Sequence, residues 1–244
     1  MCTVTALPRS LLSRTWRSDP LLLRVACNRD ERLTRPAAVP PMLMNAGACS
    51  AVMPIDPESG GTWIAANDMG VVLAILNANP GWPVPRGDVS RGLIIPSLVA
   101  STTVSEALRR AQDLRANRYA PFRLLLFDRY QLVECWPEAG RIRHRRSFLY
   151  GAVMRTSSAL GDAVVTRPRR ALFTRVFHAP DDPCAAQDRF HEHVWPGREA
   201  VSVNMRRPDA RTMSRTIVEI GLNTVSMSYH SIESTQPIVV RVAA

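Results

Sequence analysis

The stretch Cys27-Asn28-Arg29-Asp30-Glu31 decides the predicted fold, together with the first residues of the chain, Met1-Cys2-Thr3-Val4-Thr5-Ala6-Leu7. An apolar run over residues 21–26 leads directly into Cys27, and a second apolar run starts at Cys2. Two such runs, separated by turn-forming residues 17–20, are typical of neighbouring antiparallel strands. We therefore expect a carboxylate and an amide from the first stretch to lie beside the start of the chain.

Cys2 is the first candidate for a catalytic residue. A small residue at position 2 permits removal of Met1, which leaves a cysteine with a free α-amine. The ordinary pKa of an α-amine is about 7.7–8.0, which suits a general base for a thiol. This pattern predicts a nucleophile that carries its own base. The alternative is a cysteine that begins a buried strand, because free cysteines often belong to the core.

The composition is typical of one soluble globular domain over residues 1–244. Hydrophobic residues make up 46% of the chain and charged residues 21%, which is ordinary for such a domain. No apolar run approaches the ~20 residues of a membrane-spanning helix, and no signal peptide is visible. Five cysteines with scattered spacing favour a reducing compartment without a disulfide framework. The simplest expectation is a cytoplasmic protein.

The formal net charge of +10 comes from arginines without a single lysine. Arginine clusters occur at Arg141, Arg143, Arg145 and Arg146, and at Arg167, Arg169 and Arg170. Such clusters can neutralise phosphates, anionic lipid or an anionic substrate. No helix-turn-helix, zinc-finger or RNP-type pattern accompanies them. We therefore expect solvated arginine surfaces and no specific nucleic-acid partner.

The order of predicted elements indicates the fold class. Strands are expected over residues 2–7, 21–27, 62–67, 70–77, 122–127, 130–136, 141–148, 201–205, 215–220, 225–230 and 238–242. Two helices are expected within 91–118, and two more over 159–177 and 185–194. Recurring prolines predict a long loop or lid over 33–59. Strands, helices, strands, helices and strands in turn predict an α+β fold, a four-layer αββα sandwich of two antiparallel sheets.

A metal site is the weaker interpretation of another cluster, Cys184, Asp188, His191 and His193. Residues two apart on a helix do not share a face, so the two histidines cannot easily join one zinc site. An amphipathic helix with histidines at its wet edge is favoured, and no metal is expected. No Walker loop or GxGxxG pattern indicates a nucleotide site.

Several landmarks together resemble the NRDE family, which includes the transport-and-Golgi-organisation proteins. The landmarks are Met1-Cys2, Asn28-Arg29-Asp30-Glu31 with Arg35-Pro36, Gly60-Gly61-Thr62-Trp63 with Asn67 and Gly70, and Leu76-Asn77. The match is specific over about the first 80 residues and looser beyond them. The family looks like an offshoot of the N-terminal-nucleophile hydrolases, and the resemblance implies their αββα fold.

The resemblance also implies roles for individual residues. It makes Cys2 the nucleophile, Asp30 the carboxylate that orients its α-amine, and Asn77 the donor to an oxyanion. The residues expected to shape the ligand pocket are Asn28, Arg29, Trp63 and Ser157.

Three positions differ from the choloylglycine-type acylases that the family resembles. Cys27 stands where those acylases have an arginine, and Ser157 where they have an asparagine. Arg29 is expected to point to the other face of its strand from the missing arginine. A late arginine of the acylases has only a vague counterpart in Arg211 or Arg215.

Two functions remain open at this point. The first is a cysteine amidohydrolase that cleaves a non-peptide C–N amide bond through Cys2 and needs no cofactor. The second is a non-catalytic binding or trafficking protein for haem or another apolar anionic small molecule. Arginines would suit the carboxylates of such a ligand, and Met42, Met44 and Met53 would form an adaptable apolar lid. The oligomeric state stays open.

Overall fold

A computed structural model describes residues 2–12, 19–79 and 87–244. The predictions about Met1, residues 17–18 and most of the loop 78–88 lie outside the described residues. The strands are β1 Cys2–Pro8, β2 Leu23–Arg32, β3 Val39–Asn45, β4 Ser50–Ile55, β5 Ile64–Asn67, β6 Val72–Asn77, β7 Phe122–Phe127, β8 Gln131–Glu138, β9 Arg141–Phe148, β10 Val153–Thr156, β11 Ala210–Ile220, β12 Thr224–Ser231 and β13 Ile238–Ala243.

The helices are fewer and shorter. They are α1 Arg9–Leu12, α2 Ile94–Leu98, α3 Val104–Gln112, α4 Asp162–Val176 and α5 Pro183–Glu192, with 3-10 turns at Arg91–Leu93, Ala116–Arg118 and Glu199–Val201. Both predicted pairs of helices are therefore confirmed. Among the described residues, no helix has the length and apolar character needed to cross a membrane.

The strands form two antiparallel sheets. The first sheet has the order β10-β1-β2-β11-β12-β13, and the second has the order β3-β4-β5-β6-β7-β8-β9. Helices α4 and α5 pack on the first sheet, whereas α2 and α3 pack on the second. The largest apolar cluster fills the space between the sheets. The predicted αββα sandwich is confirmed.

Strand β2 continues through the whole polar stretch instead of ending at Cys27. It reaches Arg32 and pairs with β1 on one side and β11 on the other. Cys2 lies opposite Arg29, and Thr3 lies opposite Asn28. Because successive side chains alternate between the faces of a sheet, Cys2, Cys27 and Arg29 face the second sheet, and Asn28 and Asp30 face the helical layer. Polar residues remain in a central strand because both faces offer partners.

The loop or lid predicted over 33–59 is wrong for two segments of that range. Residues 39–45 and 50–55 form β3 and β4, which pair as a hairpin. Pro40 and Pro41 are tolerated because β3 is the edge strand of its sheet and an edge strand does not need every N–H. The register shifts between Val39 and Met42 at these prolines. Proline density therefore marked an edge strand and not a lid.

Two other strand predictions need correction. Residues 201–205 form a 3-10 turn and an irregular segment. Their backbone groups bind side chains, because Val203 O accepts from Asn28 and Met205 N donates to Thr212. Strand β10 was not predicted, because its four residues carry too short a pattern, yet it forms the edge of the first sheet beside β1.

His191 is buried beneath α5, with 1% of its surface exposed, so the prediction of a wet-edge histidine is wrong. Its Nδ1 lies 2.9 Å from Asn28 Oδ1, and its Nε2 lies 2.7 Å from Thr5 Oγ1. Asn28 Nδ2 donates to the carbonyls of His191 and Val203. Since the amide oxygen of Asn28 must then accept, His191 carries its proton on Nδ1, and Thr5 donates to Nε2. The neutral ring ties α5 to the first sheet.

Lowering the pH should weaken this attachment. Burial, with smaller contributions from Arg215 and Arg24, lowers the pKa of His191 well below its ordinary value of 6.5. Below about pH 6.5 the unfolded chain binds a proton at His191 that the folded chain does not. The free energy of unfolding therefore decreases by about 1.4 kcal/mol for each unit by which the pH is lowered. We expect denaturant unfolding between pH 7 and 5 to show that the free energy of unfolding depends less steeply on pH in His191→Gln, by the contribution of one proton. The exposed His178→Gln variant should keep the slope of the parent, and an unchanged slope in His191→Gln would contradict the neutral buried ring.

At Gly61 the backbone lies in close contact with another segment of the chain, beside the expected site. A Cβ on Gly61 would lie 2.4 Å from the carbonyl carbon of Gly92, and Thr62 N donates to Gly92 O at 2.9 Å. This contact holds the start of α2 against the residues that precede β5.

We expect Gly61→Ala to lower the free energy of unfolding by about 1–3 kcal/mol, because the added methyl group must displace backbone atoms. Gly151→Ala is the matched control, since no atom lies within 4 Å of its added Cβ. Urea titration of both variants measures the difference. Equal stability of the two variants would show that the two backbones separate without cost.

Candidate functional site

A cavity of about 370 Å³ lies at the end of the sandwich where β1, β2 and β6 come together. Four of the predicted residues line it, namely Cys2, Arg29, Trp63 and Asn77. Cys2 and Arg29 are opposite partners on β1 and β2, and Asn77 is the last residue of β6. The structure thus brings the candidate nucleophile and the candidate oxyanion donor to one cavity.

The cavity wall is rich in arginine. Arg29, Arg32, Arg35, Arg91 and Arg207 line it, against the carboxylates Glu31, Asp56 and Asp209. Five cations against three anions leave the wall with an excess of positive charge. A site with this balance favours an anionic ligand, because the wall stabilises negative charge.

Part of that positive charge is neutralised by a carboxylate of the wall itself. Arg35 Nη2 contacts Asp56 Oδ2 at 2.5 Å. Burial alone would raise the pKa of Asp56, but the hydrogen bonds from Arg35 and Ser59 outweigh it and lower the pKa. Arg91 Nη1 donates to the carbonyl of Pro121 at 2.9 Å, and burial lowers the pKa of Arg91. Arg91 has an uncharged hydrogen-bond partner and so contributes its positive charge to the cavity.

Cys2 is held as the more acidic member of a cysteine pair. Cys2 is 4% exposed and shares a face with Cys27, which is fully buried. The side-chain hydrogen bond with Cys27 lowers the pKa of Cys2, burial opposes that effect, and Arg29 adds to the lowering. The same hydrogen bond, together with burial, raises the pKa of Cys27 well above its ordinary value. Cys2 is therefore the more acidic thiol of the pair.

Ser157 contacts the main chain of Cys2. Cys2 N donates to Ser157 Oγ at 3.3 Å, and Ser157 N donates to Cys2 O at 3.0 Å. Ser157 is buried and is not among the residues that line the cavity. Its short side chain therefore meets the nitrogen of Cys2, whereas the prediction had it shape the ligand pocket.

Asp30 lies next to Cys2 in space but on the helical side of β2. Thr212 Oγ1 donates to Asp30 Oδ1 at 2.6 Å. Burial raises the pKa of Asp30, while Arg169 and Thr212 oppose the rise. The charge of Asp30 acts to raise the pKa of Cys2. Asp30 therefore approaches the start of β1 from behind the sheet, on the face opposite the cavity.

Arg29 points into the cavity, so the expectation that it faces away from position 27 is wrong. Residues two apart in a strand share a face. The Arg29 guanidinium lies 4.6 Å from the centre of the Trp63 ring, and its ion pairs with Glu31 and Asp56 are long, at 3.7 and 4.0 Å. A planar cation stacked on an aromatic ring and loosely paired is well placed to bind an anion.

The remaining residues predicted for the site are not among those that line the cavity. Asn28 was expected to shape the pocket, but it binds His191 and Val203 on the helical side. Arg211 is exposed, and Arg215 pairs with Glu192 at 2.7 Å. Neither of these arginines lines the cavity, where Arg207 stands instead.

The methionines proposed as an apolar lid lie elsewhere. Met42, Met44 and Met53 are in the β3–β4 hairpin, and none of them is among the residues that line the cavity. Met42 is half exposed and Met53 is buried in the core. The prediction that these methionines form a lid over the ligand site is therefore wrong.

Sequence reasoning missed Arg91, Arg207 and Arg169. Arg91 begins a 3-10 turn before α2, and Arg207 lies in an irregular segment before β11. No periodic pattern in either segment assigns a side chain to a cavity. Arg169 was expected on a solvated arginine surface, but only 1% of it is exposed. The one available signal was its place at a core-facing position of helix α4, three residues before the buried Leu172.

Comparison with solved structures identifies the fold. A variant of the conjugated bile acid hydrolase from Clostridium perfringens superimposes with a TM-score of 0.55 and 10% identity, over 98% of this chain and 92% of that chain. The Caenorhabditis elegans N-acylethanolamine-hydrolyzing acid amidase ortholog gives 0.54 and 10%, over 88% and 92%. Likeness at this identity shows the fold alone, which is that of the N-terminal-nucleophile hydrolases.

Comparison of sequences identifies the family. No curated protein sequence shows a significant match. The family model described as Transport and Golgi organisation 2 matches residues 12–147, which is more than half of the 244 residues. The matched region includes the polar stretch of β2, Trp63 directly before β5, and Asn77 at the end of β6. The chain therefore belongs to the Transport and Golgi organisation 2 family.

Proposed function

We propose that this protein hydrolyses a non-peptide amide bond, with Cys2 as the nucleophile. The observation that carries the proposal is the position of Cys2, at the start of β1 and in the wall of an arginine-rich cavity that Asn77 also lines. A cavity of about 370 Å³ is of the size that holds a small molecule. Two structural neighbours are named as a conjugated bile acid hydrolase and an N-acylethanolamine-hydrolyzing acid amidase, and the second name describes amide cleavage.

The first step requires removal of Met1. The α-amine of Cys2 then accepts the thiol proton, and the sulfur attacks the carbonyl carbon of the amide. Asp30 lies behind the same end of β1 and orients the resulting ammonium. Ser157 Oγ, which accepts from Cys2 N at 3.3 Å, is a second neighbour of that nitrogen. The carbonyl π electrons move to oxygen, and a tetrahedral intermediate forms.

The oxyanion of that intermediate needs donors in the cavity wall. Asn77 supplies a side-chain NH₂ from the end of β6, and a preorganised donor of this kind is typically worth ~10²–10³ in rate. Arg29, opposite Cys2, supplies a positive charge on the same side of the sheet. Cavity arginines that have uncharged or distant partners favour a substrate with an anionic group.

The intermediate collapses when the C–N bond breaks. The ammonium of Cys2 returns its proton to the leaving nitrogen, which departs as an amine and leaves a thioester on Cys2. Water then adds to the thioester carbonyl, with the same amine as the base. The carboxylic acid product leaves, and the thiol regains its proton.

A labelling experiment tests Cys2 as the nucleophile. We expect an electrophilic N-acyl probe to acylate the wild-type protein, and intact mass to show one adduct on a chain without Met1. Cys2→Ala should lose at least about 99% of the labelling rate, because removal of the nucleophile abolishes the covalent step.

Cys135→Ala is the control for this experiment. Cys135 is buried in the second sheet, and burial raises its pKa to about 12, so its removal should leave labelling unchanged. Equal labelling of Cys2→Ala and wild type would exclude Cys2. Turnover by a protein that retains Met1 would exclude the α-amine as the base.

A second candidate is binding of haem or another apolar anionic molecule without catalysis. The specific observation in its favour is the excess of arginines in the cavity wall, which suits carboxylates on a bound ligand. The cysteine and serine at positions 27 and 157 also leave the site without an arginine and an asparagine that acylases use.

Titration with haem tests this candidate. If the cavity binds haem, the Soret band should shift on addition of protein, and Arg29→Gln should weaken binding by roughly 10-fold, because one charge-assisted contact is lost. Arg141→Gln is the control, since Arg141 is exposed on the edge strand β9. A spectrum identical to that of free haem would remove haem as the ligand.

A further inference from the structure

Arg169 is the largest fully buried side chain of the described residues. It extends from α4 toward the first sheet, where Nη1 donates to Thr3 Oγ1 at 2.8 Å and to Thr156 Oγ1 at 2.6 Å. Nη2 donates to Ser202 O at 2.6 Å, and Nε donates to Val201 O at 3.1 Å. These four partners are uncharged. Burial of a guanidinium that contacts no carboxylate costs free energy, unless a negative charge nearby compensates its positive charge.

The hydroxyls that Arg169 binds belong to the two strands that hold Cys2. Thr3 follows Cys2 on β1, and Thr156 precedes Ser157 at the end of β10. The two threonine hydroxyls also contact each other at 2.9 Å. On the other side of the same strand ends, Ser157 makes its two hydrogen bonds with the main chain of Cys2. Arg169 therefore fastens together the strand ends whose separation sets the Cys2–Ser157 contact.

The charge of Arg169 acts on Asp30. Burial raises the pKa of Asp30, and Arg169 is the largest opposing influence. The other groups that face Asp30 are Thr212 from β11, Arg207 from the segment before β11 and the amino terminus of the chain, with the Cys2 thiol on β1. A nearby positive charge favours the ionised form of a buried carboxylate, which is the form that can orient an ammonium.

We infer that Arg169 is a positioning residue that aligns the main-chain nitrogen of Cys2 and places its positive charge on the face of the first sheet that bears Asp30. It reaches neither the cavity nor the reacting atoms, and acts through Thr3, Thr156 and Asp30. The inference rests on the proposed function for its use in catalysis. Its two physical effects, one on charge and one on geometry, are measurable without a substrate.

The effect on charge is tested by a titration of Asp30. Carbon-13 NMR of the aspartate carboxyls, with the Asp30 signal assigned from Asp30→Asn, gives the pKa in the wild type, in Arg169→Met and in Arg169→Lys. We expect the pKa of Asp30 to rise by about one pH unit or more in Arg169→Met, because a nearby positive charge is lost. Arg169→Lys retains the charge and should stay near wild type. Equal values in wild type and Arg169→Met would overturn the effect on charge.

The effect on geometry is tested with Thr156→Val, which removes one hydroxyl but leaves the Arg169 charge in place. We expect alkylation of Cys2 by iodoacetamide at pH 7 to change by about 3-fold or more, while the pKa of Asp30 stays at the wild-type value. Thr166→Val is the control, since Thr166 Oγ1 donates to the carbonyl of Asp162 within α4 and should leave the rate unchanged. Equal alkylation rates for wild type and Thr156→Val would overturn the alignment of Cys2.

The inference can be tested even if one of the variants does not fold. If Arg169→Met unfolds, Arg169→Lys and Thr156→Val still separate charge from geometry. A rise of the pKa of Asp30 in Thr156→Val, or in Arg169→Lys, would contradict it. The proposed hydrolysis fails separately, when the N-acyl probe does not acylate the wild-type protein, and that result leaves both measurements on Arg169 intact.

Discussion

The site depends on one hydrogen-bonded register, in which β1 lies between β2 and β10 with Cys2 at its first position. Cys2 faces Arg29 on one side and exchanges hydrogen bonds with Ser157 on the other. The side-chain period of a strand is two residues, so a slip by one residue would send the thiol to the helical layer. The chemistry of the cavity and the attachment of α4 and α5 therefore depend on the same backbone pairing.

This register divides the polar residues of β2 between two tasks. Arg29 turns to the cavity and stacks on Trp63, while Asn28 and Asp30 turn to the helices. Asn28 satisfies two carbonyls and one imidazole, and Asp30 binds Thr212. A run of polar residues in the middle of a sheet is stable only when each group finds a partner. Part of the polar stretch therefore maintains the fold, although the resemblance assigned Asn28 and Arg29 to the pocket and Asp30 to the α-amine.

The sequence was informative where a pattern repeats and silent where a single contact decides. Alternation predicted β1, the β5–β6 hairpin and β9, and helical spacing predicted α3 to α5. It failed over 33–59 because proline is excluded from central strands but not from the edge strand β3. It failed at residues 201–205 because side chains of Asn28 and Thr212 bind that backbone in place of a neighbouring strand. The burial of Arg169 and His191 depends on partners more than 150 positions away in the chain, which no local pattern contains.

Cys27 places a neutral thiol beside Cys2, so the positive charge on this face of the sheet comes from another residue. Arg29 lies opposite Cys2 on β2, lines the cavity and helps to lower the pKa of the Cys2 thiol. Arg91, from a 3-10 turn, and Arg207, from an irregular segment, add positive charge from outside the paired strands. The sheet thus fixes the position of Arg29, whereas the connecting segments fix those of Arg91 and Arg207, so the two sources of charge in the cavity can change independently.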